Sequence, residues 1–294
     1  MKPIIIYPVN PLSVKVDTHY ENELKIATQL GFTCLVFNFD EWQKNFNLFK
    51  LNNKPDNIHN AIYRGWMLTI NEYQNLYVNC LKNNLLLITD AHQYRTAHYF
   101  PYIYPFIKHF TPNIDHIREA TFINKPIEEQ KTLFKGLVVC HPRFIIKDFV
   151  KSDKTQDGIK IYDRGISKDA LFDIVHQFIK NRKIYQNFYE GIVFKTYVPL
   201  KKYNGITNEW RLWILNRKII DYSQNSNINP ANCKNPNLKP YHTLVTKISI
   251  PFYTLDIAEK TNSTWIILEA GDAQVSGSGT AQNLHTFYNN LILE

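Results

Sequence analysis

The chain has 294 residues, 44% hydrophobic and 20% charged, enough for one large core or two modest ones. No apolar run approaches the length of a bilayer span, which argues against a membrane-embedded protein. A formal charge of +8 favours anionic partners such as phosphates, nucleic acid or acidic substrates without choosing among them, and a solvated lysine-rich surface explains it equally well. Cys34, Cys80, Cys140 and Cys233 form no C-x-x-C pair and the histidines form no H-x-x-x-H pair. That spacing points to reduced thiols in a cytoplasmic protein rather than to a disulfide framework or a zinc site.

The opening "MKPIIIYPVNP" reads as a first β-strand, not a signal peptide, because prolines follow and no small-residue cleavage site is present. "DTHYENELKIATQLGF" is helical, with Tyr20, Leu24, Ala27 and Leu30 on one stripe and Gly31 where a C-cap belongs. "CLVFNFD" is a second strand. Thr69 and Glu72 have capping-box spacing at the head of "TINEYQNLYVNCLKNN", which leads into the strand "LLLITD". This β-α-β-α-β order predicts an α/β, doubly wound, mostly parallel sheet. In "YRGW", Tyr63 and Arg64 suit a substrate anchor, and an arginine capping a carbonyl suits the same residues. Residues 95–116, dense in aromatics and prolines, read as a connector, with a domain boundary near 115–130.

The second half has an α+β texture. "LVVCHPRFIIKDFVKS" reads as two short strands or one bent strand. "SKDALFDIVHQFIKN" is an amphipathic helix with Ala170, Leu171, Ile174, Val175, Phe178 and Ile179 on one face and Ser167 as its cap. "GIVFKTYV" is a strand, "PLKKYNGITN" a loop, and "EWRLWILNRKIIDYS" a hairpin turning near Asn216 and Arg217. "NSNINPANCKNPNLKP" is a long polar loop, and "WIILEAGDAQVSG" holds the last strand.

Strand alternation gathers charges from these pieces. Lys147 shares a face with Ile145 and Phe149, Lys195 with Val193 and Tyr197, Glu209 with Arg211, and Glu269 with Trp265 and Ile267. Burying a single charge is costly unless it is paired, so any one of these is best read as half of an internal ion pair. Two lysines, an arginine and several carboxylates together are also what a magnesium-nucleotide requires.

The order of a lysine strand, a helix, "FKTYVPL", "EWRLWILNRKII" and "TLDIAEKTNSTWIILEAGDAQVSG" resembles the ATP-grasp fold. It is most similar to the clade named for one arginine and two lysines. "AIYRGWMLTINEYQNLYVNCLKNNLLLITDAHQYRTAHYFPYIYP" is similar to that clade's pre-ATP-grasp region, which implies a pre-ATP-grasp α/β domain at 1–120 and an ATP-grasp domain at 121–294. The resemblance implies that Lys147 contacts ATP phosphates, and that backbone groups of the Lys195, Tyr197 and Val198 segment meet adenine. Arg211 would lie near the transferred phosphate, with Glu209 beside it in the nucleotide site, and Asp256 and Glu269 would hold magnesium. Many ATP-grasp enzymes carry asparagine two residues after this glutamate. Gly271 stands there instead, leaving Asp272 or Gln274 as the substitute ligand, and Ala273 replaces a glycine of the clade.

The implied chemistry is ATP-dependent ligation of a small-molecule or peptide carboxylate to an amine or thiol, through an acyl phosphate and with release of ADP. Two other classes compete. "EGIVFK" resembles a strand motif of covalent nucleotidyl transferases, yet "KTQDG" has one residue too many for Lys154 to align with their K-x-D-G. "HYFPYIYPFIKH" mixes aromatics with basic residues as single-strand binders do, although aromatics with proline more often pack a connector and no basic stripe accompanies them.

Overall fold

The computed structural model describes every residue except 1, 10–15, 153, 156–157, 186–187, 226–232 and 294. Parts of three sequence readings therefore lie outside the described residues: the start of the chain, Gln156 and Asp157 of "KTQDG", and the middle of the asparagine-rich loop.

The first sheet is wholly parallel. β1 (Ile4–Val9) is buried at every position because both of its faces are covered: Ile4 and Ile6 enter one core cluster, Ile5 and Tyr7 another. α1 (Glu21–Gln29), β2 (Cys34–Asn38), α2 (Phe39–Lys44), β3 (His59–Tyr63), α3 (Ile70–Lys82) and β4 (Leu85–Leu87) complete the predicted alternation, with strand order β2-β1-β3-β4. Gly31 follows α1 at φ +77°, a conformation glycine adopts without strain. Thr69 and Glu72 form the capping box of α3 in both directions.

The predicted connector is helical. α4 (Ala91–His98) starts on a second capping box, Asp90 with Gln93, and α5 (Phe100–Ile107) places Pro101 in its first turn, where a missing N–H costs nothing. Ala97, Phe100, Ile103 and Ile107 then bury against the C-terminal sheet, so tertiary packing outweighs the proline signal. Tyr99 and Phe100 are buried, which removes them as an exposed stacking platform for nucleic-acid bases.

β5 (Ile114–Arg118), α6 (Glu119–Phe122) and α7 (Ile127–Leu137) precede β6 (Arg143–Asp148). The strand reading of "LVVCHPRFIIKDF" thus fails in its first part: Leu137 ends a helix, and the strand starts only at Arg143. β7 (Lys154–Thr155) and β8 (Gly158–Ile159) form a small ribbon, followed by β9 (Tyr162–Asp163), α8 (Lys168–Tyr185) and β10 (Gly191–Thr196). Ser167 accepts from Ala170 N at 3.1 Å, the expected cap of α8. The second sheet is antiparallel, in the order β5-β10-β6-β9. A Cβ on Gly191 would lie 2.3 Å from the Ile117 carbonyl oxygen, so β5 and β10 approach this closely only around a glycine. Phe144, Ile146, Ile192 and Phe194 pack into one cluster with α7 and α8, leaving Lys147 and Lys195 on the other face.

After the hairpin β11 (Lys202–Tyr203) and β12 (Ile206–Thr207), the third sheet assembles from β13 (Glu209–Leu215), β14 (Lys218–Gln224), β15 (Phe252–Glu259) and β16 (Trp265–Asp272). Its antiparallel order is β14-β13-β15-β16. Asn216 and Arg217 both have positive φ, which is what a two-residue hairpin turn demands at the predicted place. α9 (Lys239–Val245) and α5 cover the face carrying Leu212, Ile214, Leu255 and Ile257. α10 (Leu284–Asn290) closes the chain against the cluster that holds Tyr7 and Phe32.

Candidate active site

Lys147 stands opposite Val193 in the pairing of β6 with β10, and Lys195 is two residues further along β10, so both ammonium groups emerge from one face. They are 2% and 4% exposed and lie 4.8 and 4.2 Å from the centre of the Phe100 ring. Lys195 donates to the Leu268 carbonyl of β16. Lys147 Nζ is 3.4 Å from Glu269 Oε1, a long contact between a buried ammonium and a partly exposed carboxylate. Burial pulls the Lys195 pKa down to about 7, Lys147 pushes it the same way, and Glu269 opposes both. Lys195 is thus held with its charge weakened near neutral pH, chiefly by burial.

Facing these lysines, β13, β15 and β16 align Arg211, Asp256 and Glu269 in one cross-strand row. Arg211 donates through Nε and Nη2 to the two Asp256 oxygens at 2.8 and 2.7 Å, and through Nη1 to Gly277 O at 2.7 Å. Burial works against its charge, and the Asp256 carboxylate more than restores it. The loop after β16 is held from the other side by Arg64, which is fully buried. Arg64 donates to the carbonyls of Ala273, Gln274 and Ser276 and to both oxygens of Glu23. Of the two roles read for Arg64 from sequence, the structure supports the carbonyl cap, since no exposed surface remains to anchor a substrate. Beside the row lies a cleft of about 350 Å³, lined by Arg211, Asp256 and Glu269 together with His98 and Lys151, and by His19, Tyr20 and Trp66 of the first sheet's loops; Lys147 and Lys195 lie behind this lining.

An ATP-grasp domain model, family 3 of the R2K clade, matches residues 136–291, more than half of the chain. The chain belongs to this family. The whole R2K chain also overlays solved structures end to end. D-cycloserine synthetase DcsG gives a TM-score of 0.61 at 12% identity, covering 98% of each chain. The ATP-grasp ligase PsnB, complexed with a phosphomimetic variant of its minimal precursor, Mg and ADP, gives 0.59 at 7% identity, covering 99% of this chain and 97% of that one. D-alanyl-alanine synthetase A from Vibrio cholerae gives 0.57 at 8%, with the same coverage. At these identities the likeness establishes the ATP-grasp fold. No curated protein matches the sequence significantly.

The remaining expected residues of the R2K protein divide sharply. Tyr197 and Val198 are half-buried in the stretch after β10, where Tyr197 N donates to Arg143 O and the Arg143 guanidinium lies 4.9 Å from the Tyr197 ring. Glu209 is half-buried at the start of β13. Asp256 and Glu269 stand opposite one another across β15 and β16, a pair of carboxylates of the kind magnesium takes, with both Asp256 oxygens also accepting from Arg211. Asp272 and Gln274 do not join them. Asp272 is fully buried and accepts from Gln274 N and Nε2. Gln274 Nε2 also donates to Tyr73 OH, while its Oε1 accepts from Tyr63 N, so its amide ties the C-terminal loop to β3 and α3. A Cβ on Gly271 would meet Ser276 Oγ and Thr254 Oγ1, each at 3.3 Å, so a larger residue there would have to displace one of them. No group of three or more His, Cys, Asp or Glu suited to a metal is found among the described residues.

Asp272 carries a pH signature. Burial raises its pKa from 3.8 to about 7, against the two Gln274 hydrogen bonds and Arg64, which lower it. Between about pH 4 and 7 the folded state therefore keeps a proton that the unfolded chain has lost, and stability falls as pH rises through that window. Asp272→Asn is expected to match the native protein near pH 4 and to exceed its stability by roughly 2–4 kcal/mol near pH 8. Denaturant midpoints at both values test this, and a difference that does not grow with pH contradicts it.

His98 and Phe100 have no place in the sequence-derived site, because their segment read as a connector. The Asp90 and Gln93 spacing was the available signal for the helix that carries His98. Burial, with Lys151 and Lys147 beside it and Glu269 opposing, lowers the His98 pKa to about 3.

Proposed function

We propose that the protein is an ATP-dependent ligase that joins a carboxylate to an amine or thiol through an acyl phosphate. The observation that carries this reading is the meeting of two buried lysines with β16 beside the Arg211, Asp256 and Glu269 row, which lines a cleft in an ATP-grasp fold. Ligase activity in the structural neighbours named above supports the same class. The division of the chain near residue 120 belongs to this proposal.

Lys147 and Lys195 neutralise the nucleotide's phosphates. Asp256 and Glu269 would hold magnesium, whose role is to offset charge on the phosphate oxygens. Arg211 uses three N–H groups within the protein and keeps two more, which can reach an oxygen of the group being transferred. A substrate carboxylate oxygen attacks the terminal phosphorus, the bond to the bridging oxygen breaks, and ADP leaves. The acceptor then attacks the acyl carbon, phosphate departs with the C–O electrons, and the acceptor loses its proton. No protein side chain forms a covalent bond, and the protein contributes positioning and charge complementarity.

Incubation with magnesium-ATP and pools of amino acids, peptides and polyamines is expected to release ADP and phosphate when acid and acceptor are both present. Release of AMP and pyrophosphate, or a stable lysine-bound adenylate, would overturn the acyl-phosphate reading and favour nucleotidyl transfer.

A further inference from the structure

His98, the last residue of α4, lines the cleft yet is only 5% exposed. Its Nε2 has no hydrogen-bond partner among the described residues. The ring is fixed in place by the rings of Tyr94, Tyr99 and Tyr189, whose centroids lie 5.2, 5.9 and 6.0 Å away. An immobilised, buried polar nitrogen left without a partner loses its water hydrogen bond and gains nothing in return, so such groups are rare unless a ligand completes them. The charges near it define that ligand. Lys147 and Lys151 are both close enough to oppose protonation of the ring, and Glu269 is close enough to oppose them in turn. Two cations beside a neutral imidazole make a site for an anionic oxygen, to which Nε2–H donates. Two residues further on, Phe100 lies 4.8 and 4.2 Å from the Lys147 and Lys195 ammonium groups, so the α4–α5 junction that carries His98 into the cleft also packs on the lysine-bearing face of the second sheet.

We propose that His98 binds the terminal phosphoryl group of the nucleotide, donating an Nε2–H hydrogen bond to one of its oxygens. The proposal rests on the nucleotide site described under the proposed function and adds to it a contact from the pre-ATP-grasp part of the chain. It also assigns the contact a discriminating role: it is made to the third phosphate and has nothing to hold in ADP.

The test compares the magnesium complexes of ADP and of the non-hydrolysable β,γ-imido analogue of ATP by calorimetry. His98→Phe, which keeps an aromatic ring of similar size, should bind the analogue about tenfold more weakly and ADP unchanged. His98→Gln, which places an amide N–H near the same position, should recover most of the loss. In wild-type protein labelled with ¹⁵N-histidine, the His98 Nε2 resonance should shift on adding the analogue and stay in place on adding ADP; this measurement stands even if a variant fails to fold. Equal weakening of both nucleotides, or no weakening of either, overturns the assignment, as does an Nε2 resonance that treats them alike. Wild-type protein that binds neither nucleotide would instead overturn the underlying nucleotide site.

Discussion

Glu269→Gln should give a folded protein that magnesium-ATP no longer protects against thermal unfolding. A nucleotide supplied roughly 100-fold above its Kd stabilises a native state by about 2.7 kcal/mol, and nearly all of that protection should vanish in the variant. The amide keeps the shape of the carboxylate and can still face Lys147, but a hard divalent cation prefers anionic oxygen, and Asp256 alone already serves Arg211. The unliganded variant should lose only about 1 kcal/mol. That is well short of the ~3–5 kcal/mol of a broken, fully buried pair, because the Glu269 side chain is 37% exposed and sits 3.4 Å from the ammonium. Melting curves with and without magnesium-ATP separate the two terms. Undiminished protection of the variant by magnesium-ATP would show that Glu269 is scaffold and not part of the site.

Arg64→Met should cause the largest loss of stability, about 3–5 kcal/mol out of the ~5–15 that a protein of this kind possesses. The change strands Glu23, which is 2% exposed and, among the described residues, keeps Tyr288 OH and Ser278 Oγ as donors, and it leaves three loop carbonyls without their cap. Adding Glu23→Gln to the variant should recover part of the loss, since the uncompensated buried charge disappears. Urea titrations of the two single variants and the double variant give the coupling between them. Additive losses would mean that Arg64 acts on the loop alone and that its pairing with Glu23 contributes nothing.

Local rules made much of this fold legible in the sequence. The α3 capping box, the Gly31 cap and the hairpin at Asn216 and Arg217 depend on residues within a few positions of one another. Strand alternation was enough to place Lys147, Lys195 and Arg211 on charged faces, because side-chain direction in a strand has a period of two. It grouped Glu269 with Trp265 and Ile267, whereas a bulge between Ile267 and Glu269 turns Glu269 to the opposite face, beside Asp256. Partners distant in the chain escaped. Glu23 meets Arg64 across 41 residues, and Gln274 meets Tyr73 across 201. No periodicity encodes such encounters, so Gln274 passed for a metal ligand when its amide was already committed to the core. The aromatic stretch beginning at Arg95 misled for a related reason: its prolines signal a break locally, whereas the sheet packed against it rewards a helix.

The loop that follows β16 is gripped by two guanidinium groups, Arg64 from the first parallel sheet and Arg211 from the last antiparallel one. Neither half of the protein can set the shape of that loop alone. A graft that joined this ATP-grasp half to a foreign N-terminal half would inherit Gly277 held and Ser276 released, and with it a cleft wall lacking half its support. The two halves are therefore expected to travel through evolution as one heritable unit, with Arg64, Glu23 and the loop changing together or not at all.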